Sequence, residues 1–294
     1  MFTCPPILPY FTPLPALSLQ GEANLGIPAW LAAVEADLDK ALASGTPIRQ
    51  VVMGRCCAID SMMEALFELY ELDQTDLTLF ATGGYGRGEL HPFSDVDLLL
   101  LSPNPIDEAL NQKISPFVAR LWDIGIDPAL VVRSVEECDE ACHDDITVAT
   151  SLLEARILAG NVAQAGLPMQ LLNKNWSQTK FYETKMAEAK ERYLKHNSTE
   201  YNLEPDLKNA PGGLRDIHTV GWISKRYFRV TNLFGLVQQE FITEKEFDEL
   251  QEAEDFLWLI RHHLHKIAKR NENRVLFDYQ RLIAERIGYR DNSH

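Results

Sequence analysis

One stretch, FATGGYGRGELHPFSDVDLLLL at residues 80–101, narrows the possible folds more than any other. LTLFAT (77–82) reads as a strand. DVDLLLLS (95–102) reads as a second one, too apolar after Asp97 to keep a solvated face. Between them lies a glycine-rich turn. Residues two apart on a strand point to the same side, so Asp95 and Asp97 converge. Carboxylates that close repel unless cations lie between them, and hard divalent ions shared with phosphate oxygens are the natural occupants. Gly83 and Gly84 let backbone N–H groups approach a triphosphate with no Cβ in the way. A tight turn with solvated aspartates would explain a D-x-D alone. It does not explain the glycine pair placed ahead of a buried strand.

The commoner phosphate cradles do not fit. No lysine follows the glycines as a P-loop requires, and a G-x-G-x-x-G reading from Gly84 and Gly86 puts Glu89 where the third glycine belongs. The kinase loop fails at the same place. The formal charge of −15 argues against a nucleic-acid binder, which needs clustered Lys and Arg, but leaves room for a local basic pocket.

At 294 residues, with 46% hydrophobic content, the chain suits about two globular domains. Its N-terminus is apolar but rich in proline, and its first cation is Lys40, so residues 1–25 read as an extended arm and not as a signal peptide. No apolar run approaches the ~20 residues of a membrane span. Cys4, Cys56, Cys57, Cys138 and Cys142 are odd in number and lack paired C-x-x-C spacing, which favours a reduced, cytoplasmic setting.

Apolar spacing predicts two helices across residues 27–72, separated by ASGTP. A helix over 106–125 with an irregularity at Pro116 and a third strand over 126–134 follow. Beyond that the pattern turns almost wholly helical. Ser134/Glu137 and Thr243/Glu246 have capping-box spacing, and 177–198 is a mixed-charge helix. The expected organisation is an α+β domain with N-terminal helices over 26–142, then a helical domain over 143–294.

Three constellations read as structural. Cys138, Cys142 and His143 lack a fourth zinc partner. His143-Asp144 reads as a polar pair at a helix end. His262, His263 and His265 share a helix with the core stripe of Phe256, Ile260, Leu264 and Ile267. A second glycine motif, Pro211-Gly212-Gly213-Leu214-Arg215-Asp216, admits two accounts. One is a closely packed helix entry. The other has Arg215 or Lys208 reaching phosphate or base, ordered by Asp216. Either way the motif is expected to bring the helical domain to the nucleotide cleft.

GGYGRGELHPFSDVDLLLL resembles the nucleotidyltransferase superfamily typified by DNA polymerase beta. Together with DLKNAPGGLRDIHTVGWISKR (206–226), it is similar to the bacterial protein-PII uridylyltransferase/uridylyl-removing family. TVATSLLEARILAGN (147–161) and FDYQRLIAERIGYRD (277–291) look like the same family, so the likeness covers most of residues 50–294.

The resemblance implies a polymerase-beta-like nucleotidyltransferase domain with a mixed sheet, followed by a helical domain. It implies Mg²⁺-dependent transfer of UMP from UTP to a tyrosine of the PII signalling protein, with release of pyrophosphate. It assigns Asp95, Asp97 and Asp127 to catalysis and metal binding. Gly83, Gly84, Arg87, Ser94, Lys208, Arg215 and Asp216 are assigned to the nucleotide. Asp127 stands where the family has a glutamate after LWDIGI, but relatives continue with valine, glycine and histidine where this chain has Pro128, Ala129 and Leu130. Asp123 is the next candidate for the third acid. Family members continue with phosphohydrolase and ACT domains, so this chain is expected to be the N-terminal part of a larger protein, without uridylyl removal or glutamine sensing. Two alternatives stay open: an ATP-using protein adenylyltransferase, and a noncatalytic module that binds nucleotide or a partner.

Overall fold

A computed structural model describes residues 26–196, 202–230 and 232–290, so the arm expected over 1–25 lies outside the described residues. The chain forms two compact units. The first takes the described residues through Leu90 together with Ser94–Asn175, and the second takes His91–Phe93 and the described residues from Trp176.

The first unit begins with α1 (Ile27–Ala43) and α2 (Ile48–Leu69). Pro28 at the start of α1 suits a first turn that needs no N–H from it. Strand β1 (Thr78–Ala81) leads into a single helical turn, α3 (Gly83–Gly86), and then β2 (Val96–Ser102). Next come α4 (Glu108–Asp123), β3 (Pro128–Ser134), α5 (Val135–Asp144), α6 (Ile146–Glu154), β4 (Arg156–Gly160) and α7 (Leu167–Asn175). Helix α4 runs through Pro116, its N-terminus capped by the Asp107 carboxylate accepting from Leu110 N.

The sheet order is β3-β2-β1-β4. β1 is antiparallel to both β2 and β4, while β2 and β3 are parallel and joined through α4, which makes the sheet mixed. β4 lies inside the region read from sequence as almost wholly helical, and is a correction to that reading. It is only five residues long, and its side chains are mostly half-buried, so it carries no clear two-residue alternation. One sheet face holds Leu79, Ala81, Val96, Leu98 and Leu100 against Met62, Met63, Leu66, Phe67, Phe117 and Leu121 of the helices. On the opposite face Phe80, Leu99 and Leu101 are buried as well. Covered on both faces, β2 has the continuous apolar run its sequence shows.

Cys56, Cys138 and Cys142 are free and buried.

The second unit contains α8 (Gln178–Lys195), α9 (Leu214–Ile223), α10 (Phe234–Gln238), α11 (Glu244–Ala268) and α12 (Phe277–Arg286). Leu207, Leu264, Val275 and Ile283 form one of its buried apolar clusters. Both expected capping boxes are present, at Ser134/Glu137 and Thr243/Glu246. Among the described residues, no helix is long and apolar enough to cross a membrane.

Candidate active site

Gly83 has φ +52, and a Cβ there would lie 2.9 Å from Cγ of Asp97 and overlap one of its carboxylate oxygens. The Thr82 N–H donates to the Asp97 carbonyl at 3.0 Å. Turn and strand are thereby fastened together, with the second aspartate of the D-x-D lying directly over the first glycine. Gly84 differs. The nearest atom to a Cβ on it is the Glu89 carbonyl oxygen at 3.5 Å, so packing alone does not demand glycine there. Asp97 is half-buried and Asp95 exposed. The Ser94 hydroxyl just before them is buried and has no hydrogen-bond partner.

Asp127 precedes β3, and its carbonyl accepts from Val96 N at 2.9 Å. The parallel register pairs Asp97 with Ala129 and Val96 with Pro128. Two-residue alternation then puts Asp95, Asp97 and Asp127 on one face. The three-carboxylate metal centre is nevertheless not assembled. Among the described residues, no group of three or more His, Cys, Asp or Glu side chains is arranged to hold a metal ion. Asp127 lies outside its strand and is exposed, with Pro128 immediately after it. What the structure brings together is the Asp97 carboxylate and the bare Gly83 backbone, with Asp95 on the same face by strand alternation. Those carboxylates are hard oxygen donors beside backbone without side chains, and they fit a divalent cation shared with phosphate oxygens.

Sequence reasoning missed the residues that grip the turn. Tyr85 is buried and donates to the Asp60 carboxylate at 2.6 Å. Arg156 holds that carboxylate with two nitrogens, at 2.8 and 3.0 Å, and lies over the Tyr85 ring. Burial first, and the Asp60 charge second, push the Tyr85 phenol well above its ordinary range, so it stays a neutral donor. Arg87, expected at the nucleotide, is engaged within the chain: two of its nitrogens meet Glu89 at 2.8 Å and a third meets Glu154. Although burial opposes its charge, the two carboxylates hold the Arg87 guanidinium above its ordinary value.

Arg55 pairs with Glu35 through two nitrogens and also donates to the Leu90 carbonyl at 3.3 Å, while Leu90 N donates to Cys56 Sγ. Burial pushes the Cys56 thiol up to about 12, so it accepts as a neutral thiol. The available sequence signal was the presence of Arg55 and Asp60 amid the apolar positions of a buried helix, where charges need partners.

The second glycine motif matches the packing account. A Cβ on Gly213 would lie 2.9 Å from the carbonyl oxygens of both Ala210 and Leu207, and Gly212 has φ +77. The Asp216 carboxylate accepts from Arg192, from the Tyr193 hydroxyl at 2.7 Å and from Gly212 N at 2.7 Å, so it orders the turn itself. Arg215 lies over the Trp222 ring, and the Lys208 backbone N–H donates to Asp206.

His143 and Asp144 are exposed in the last turn of α5. His262 and His265 are buried, and His265 Nδ1 shares a hydrogen bond with the Pro92 carbonyl. Phe256, counted in the core stripe from sequence, is exposed instead.

Two family models match the chain: a nucleotidyltransferase domain over residues 62–149, and GlnD PII-uridylyltransferase over residues 180–294. Among curated proteins, the chain is 59% identical over 292 residues to a bifunctional uridylyltransferase/uridylyl-removing enzyme of Psychrobacter sp. (strain PRwf-1), covering 98% of this chain and 32% of the relative. A protein of the same description from Acinetobacter baumannii (strain AYE) is 49% identical over 261 residues, covering 88% of this chain and 29% of the relative. The chain therefore spans about a third of the length of these relatives.

Proposed function

Residues 62–149 are a nucleotidyltransferase domain and residues 180–294 belong to the PII-uridylyltransferase family, and on that premise we propose that the chain transfers UMP from UTP to a tyrosine hydroxyl of a PII signalling protein. Pyrophosphate is the other product. The observation that carries this reading is the seat of Asp97 directly over Gly83, which joins a carboxylate pair to a stretch of backbone without side chains.

The Gly83 and Gly84 amides orient the triphosphate, and the Ser94 hydroxyl supplies a further donor to it. Asp95 and Asp97 would hold Mg²⁺, which when bound would neutralise phosphate charge and lower the pKa of a coordinated hydroxyl. Asp127, on the same face one strand over, faces the incoming tyrosine hydroxyl and favours its deprotonation. Most of the remaining acceleration comes from in-line alignment of that oxygen with the α-phosphorus. Lys208 and Arg215 are proposed as further nucleotide contacts. Asp216, already engaged by Arg192 and Tyr193, orders the turn between them through Gly212 N.

The test is transfer of radiolabel from α-labelled UTP to purified PII protein with Mg²⁺, run beside α-labelled ATP. Label on PII from UTP, abolished by Asp95→Asn or Asp97→Asn, is the expected result. Label from ATP alone would replace this reading with protein adenylylation. Nucleotide binding without any transfer would make the chain a binding module.

A further inference from the structure

We propose that Glu154 and Arg156 are positioning residues for the triphosphate turn, acting through Arg87 and Tyr85 and not on the nucleotide itself. The inference rests on the reading that Gly83 and Gly84 cradle a triphosphate.

Three attachments run from residues 154–156 to residues 85–87. The first is backbone on backbone: the Glu154 carbonyl occupies the place a Cβ on Gly86 would take. The second is the Glu154 carboxylate, side chain 3% exposed, which accepts from Arg87 while Glu89 takes the guanidinium's other edge. The third is Arg156, which donates to the Tyr85 carbonyl at 3.4 Å and fixes the Asp60 carboxylate that receives the Tyr85 hydroxyl.

The turn needs such attachments. α3 is four residues long and reads Gly-Gly-Tyr-Gly, so its backbone has more freedom to lose than a turn of ordinary residues. One helical turn is also too short to hold its own shape. Tyr85 and Arg87 are the first two side chains available to fix it, and both are held from outside the turn. Each arginine meets carboxylates of this chain, Arg87 two and Arg156 one, so their charge serves the clamp. Asp60, Glu154 and Arg156 all lie outside residues 62–149, the segment that matches the nucleotidyltransferase domain. The flanking segments thus supply three of the groups that hold the turn, while Glu89 comes from within the match.

The experiment is steady-state transfer to PII by the whole chain, with UTP and acceptor titrated separately. Arg156→Lys keeps the charge but loses the planar fork. Glu154→Ala removes the partner of Arg87, and Glu154→Gln restores an acceptor. Expected is a rise in the UTP KM of roughly ten- to hundredfold for Arg156→Lys and Glu154→Ala, the scale of effect of a misplaced reacting group. The acceptor KM stays unchanged, and Glu154→Gln recovers most of the loss. Phe117→Leu, a core change at a residue that makes none of these hydrogen bonds or ion pairs, serves as the control for lost stability and leaves the UTP KM at its wild-type value. Asp60→Asn replaces Arg156→Lys if the latter does not fold.

A wild-type UTP KM in the folded clamp variants overturns the proposal, as does an equal rise in Phe117→Leu. If the wild-type chain binds triphosphate but transfers nothing, the transferase reading fails and the clamp is judged from dissociation constants alone. If it binds no triphosphate, both fall.

Discussion

Gly83 and Gly84 are neighbours with different reasons to be glycine. At Gly83 the backbone is left-handed and the Asp97 carboxylate fills the side-chain position, so Gly83→Ala strains the fold and displaces a carboxylate of the site together. At Gly84 the space is ordinary. Gly84→Ala should keep its thermal stability within about 1 kcal/mol of wild type, as an unstrained glycine replacement does, yet weaken Mg²⁺-UTP binding in calorimetry. Equal UTP binding by Gly84→Ala and wild type would show that no phosphate approaches there.

Asp127→Asn should separate binding from chemistry. Mg²⁺-UTP affinity stays near wild type while the single-turnover rate falls by about tenfold or more, each tenfold being ~1.4 kcal/mol of barrier. An unchanged rate would shift attention to Asp123.

His265 gives the chain a pH signature. Burial first, then the nearby Arg261 charge, lower it from 6.5 to about 4, so the unfolded chain binds a proton that the folded chain refuses between those values. Stability should therefore decline as pH falls from 6.5 toward 4, already measurable by urea denaturation above pH 5, where most carboxylates remain ionised.

At the scale of elements, the ends of helices were the most legible features. Thr243 N–H donates to Glu246 at 2.8 Å and Glu246 N–H returns a bond to Thr243 Oγ1 at 3.2 Å, as the S/T-x-x-E spacing implies. Thr243→Ala should cost about 1 kcal/mol in chemical denaturation, with α11 frayed at that end. The three early strands were legible for a related reason: β1, β2 and β3 are apolar over short windows bounded by turns. β4 was not, because pairing with β1 defines it more than its own residues do. Its register shifts between Leu79 and Phe80 of β1, an irregularity no single-strand pattern encodes. The candidate site divides in the same way. Its glycines and aspartates lie close together in sequence and announce a shared chemistry. The groups that hold them do not, since Asp60 and Arg156 meet across 96 positions of chain.

For the molecule as a whole, the formal charge of −15 sets the long-range field that the proposed anionic nucleotide would cross. Association of Mg²⁺-UTP should quicken as salt rises from about 20 to 150 mM, because screening weakens repulsion between like charges. A nucleic-acid binder would show the opposite slope. Stopped-flow association at fixed free Mg²⁺ would read it directly.

The grip on Leu90 by Arg55 and Cys56, and on the turn by Asp60, Glu154 and Arg156, also bears on how this sequence is transplanted or recombined. A chimera carrying only residues 62–149 into a new scaffold would inherit every glycine and aspartate of the site and none of those five anchors. Crossovers placed before Glu35 and after Arg156 keep each of these donors with its acceptor. Shuffled libraries of relatives should accordingly yield active clones chiefly when positions 60 and 156 descend from the same parent.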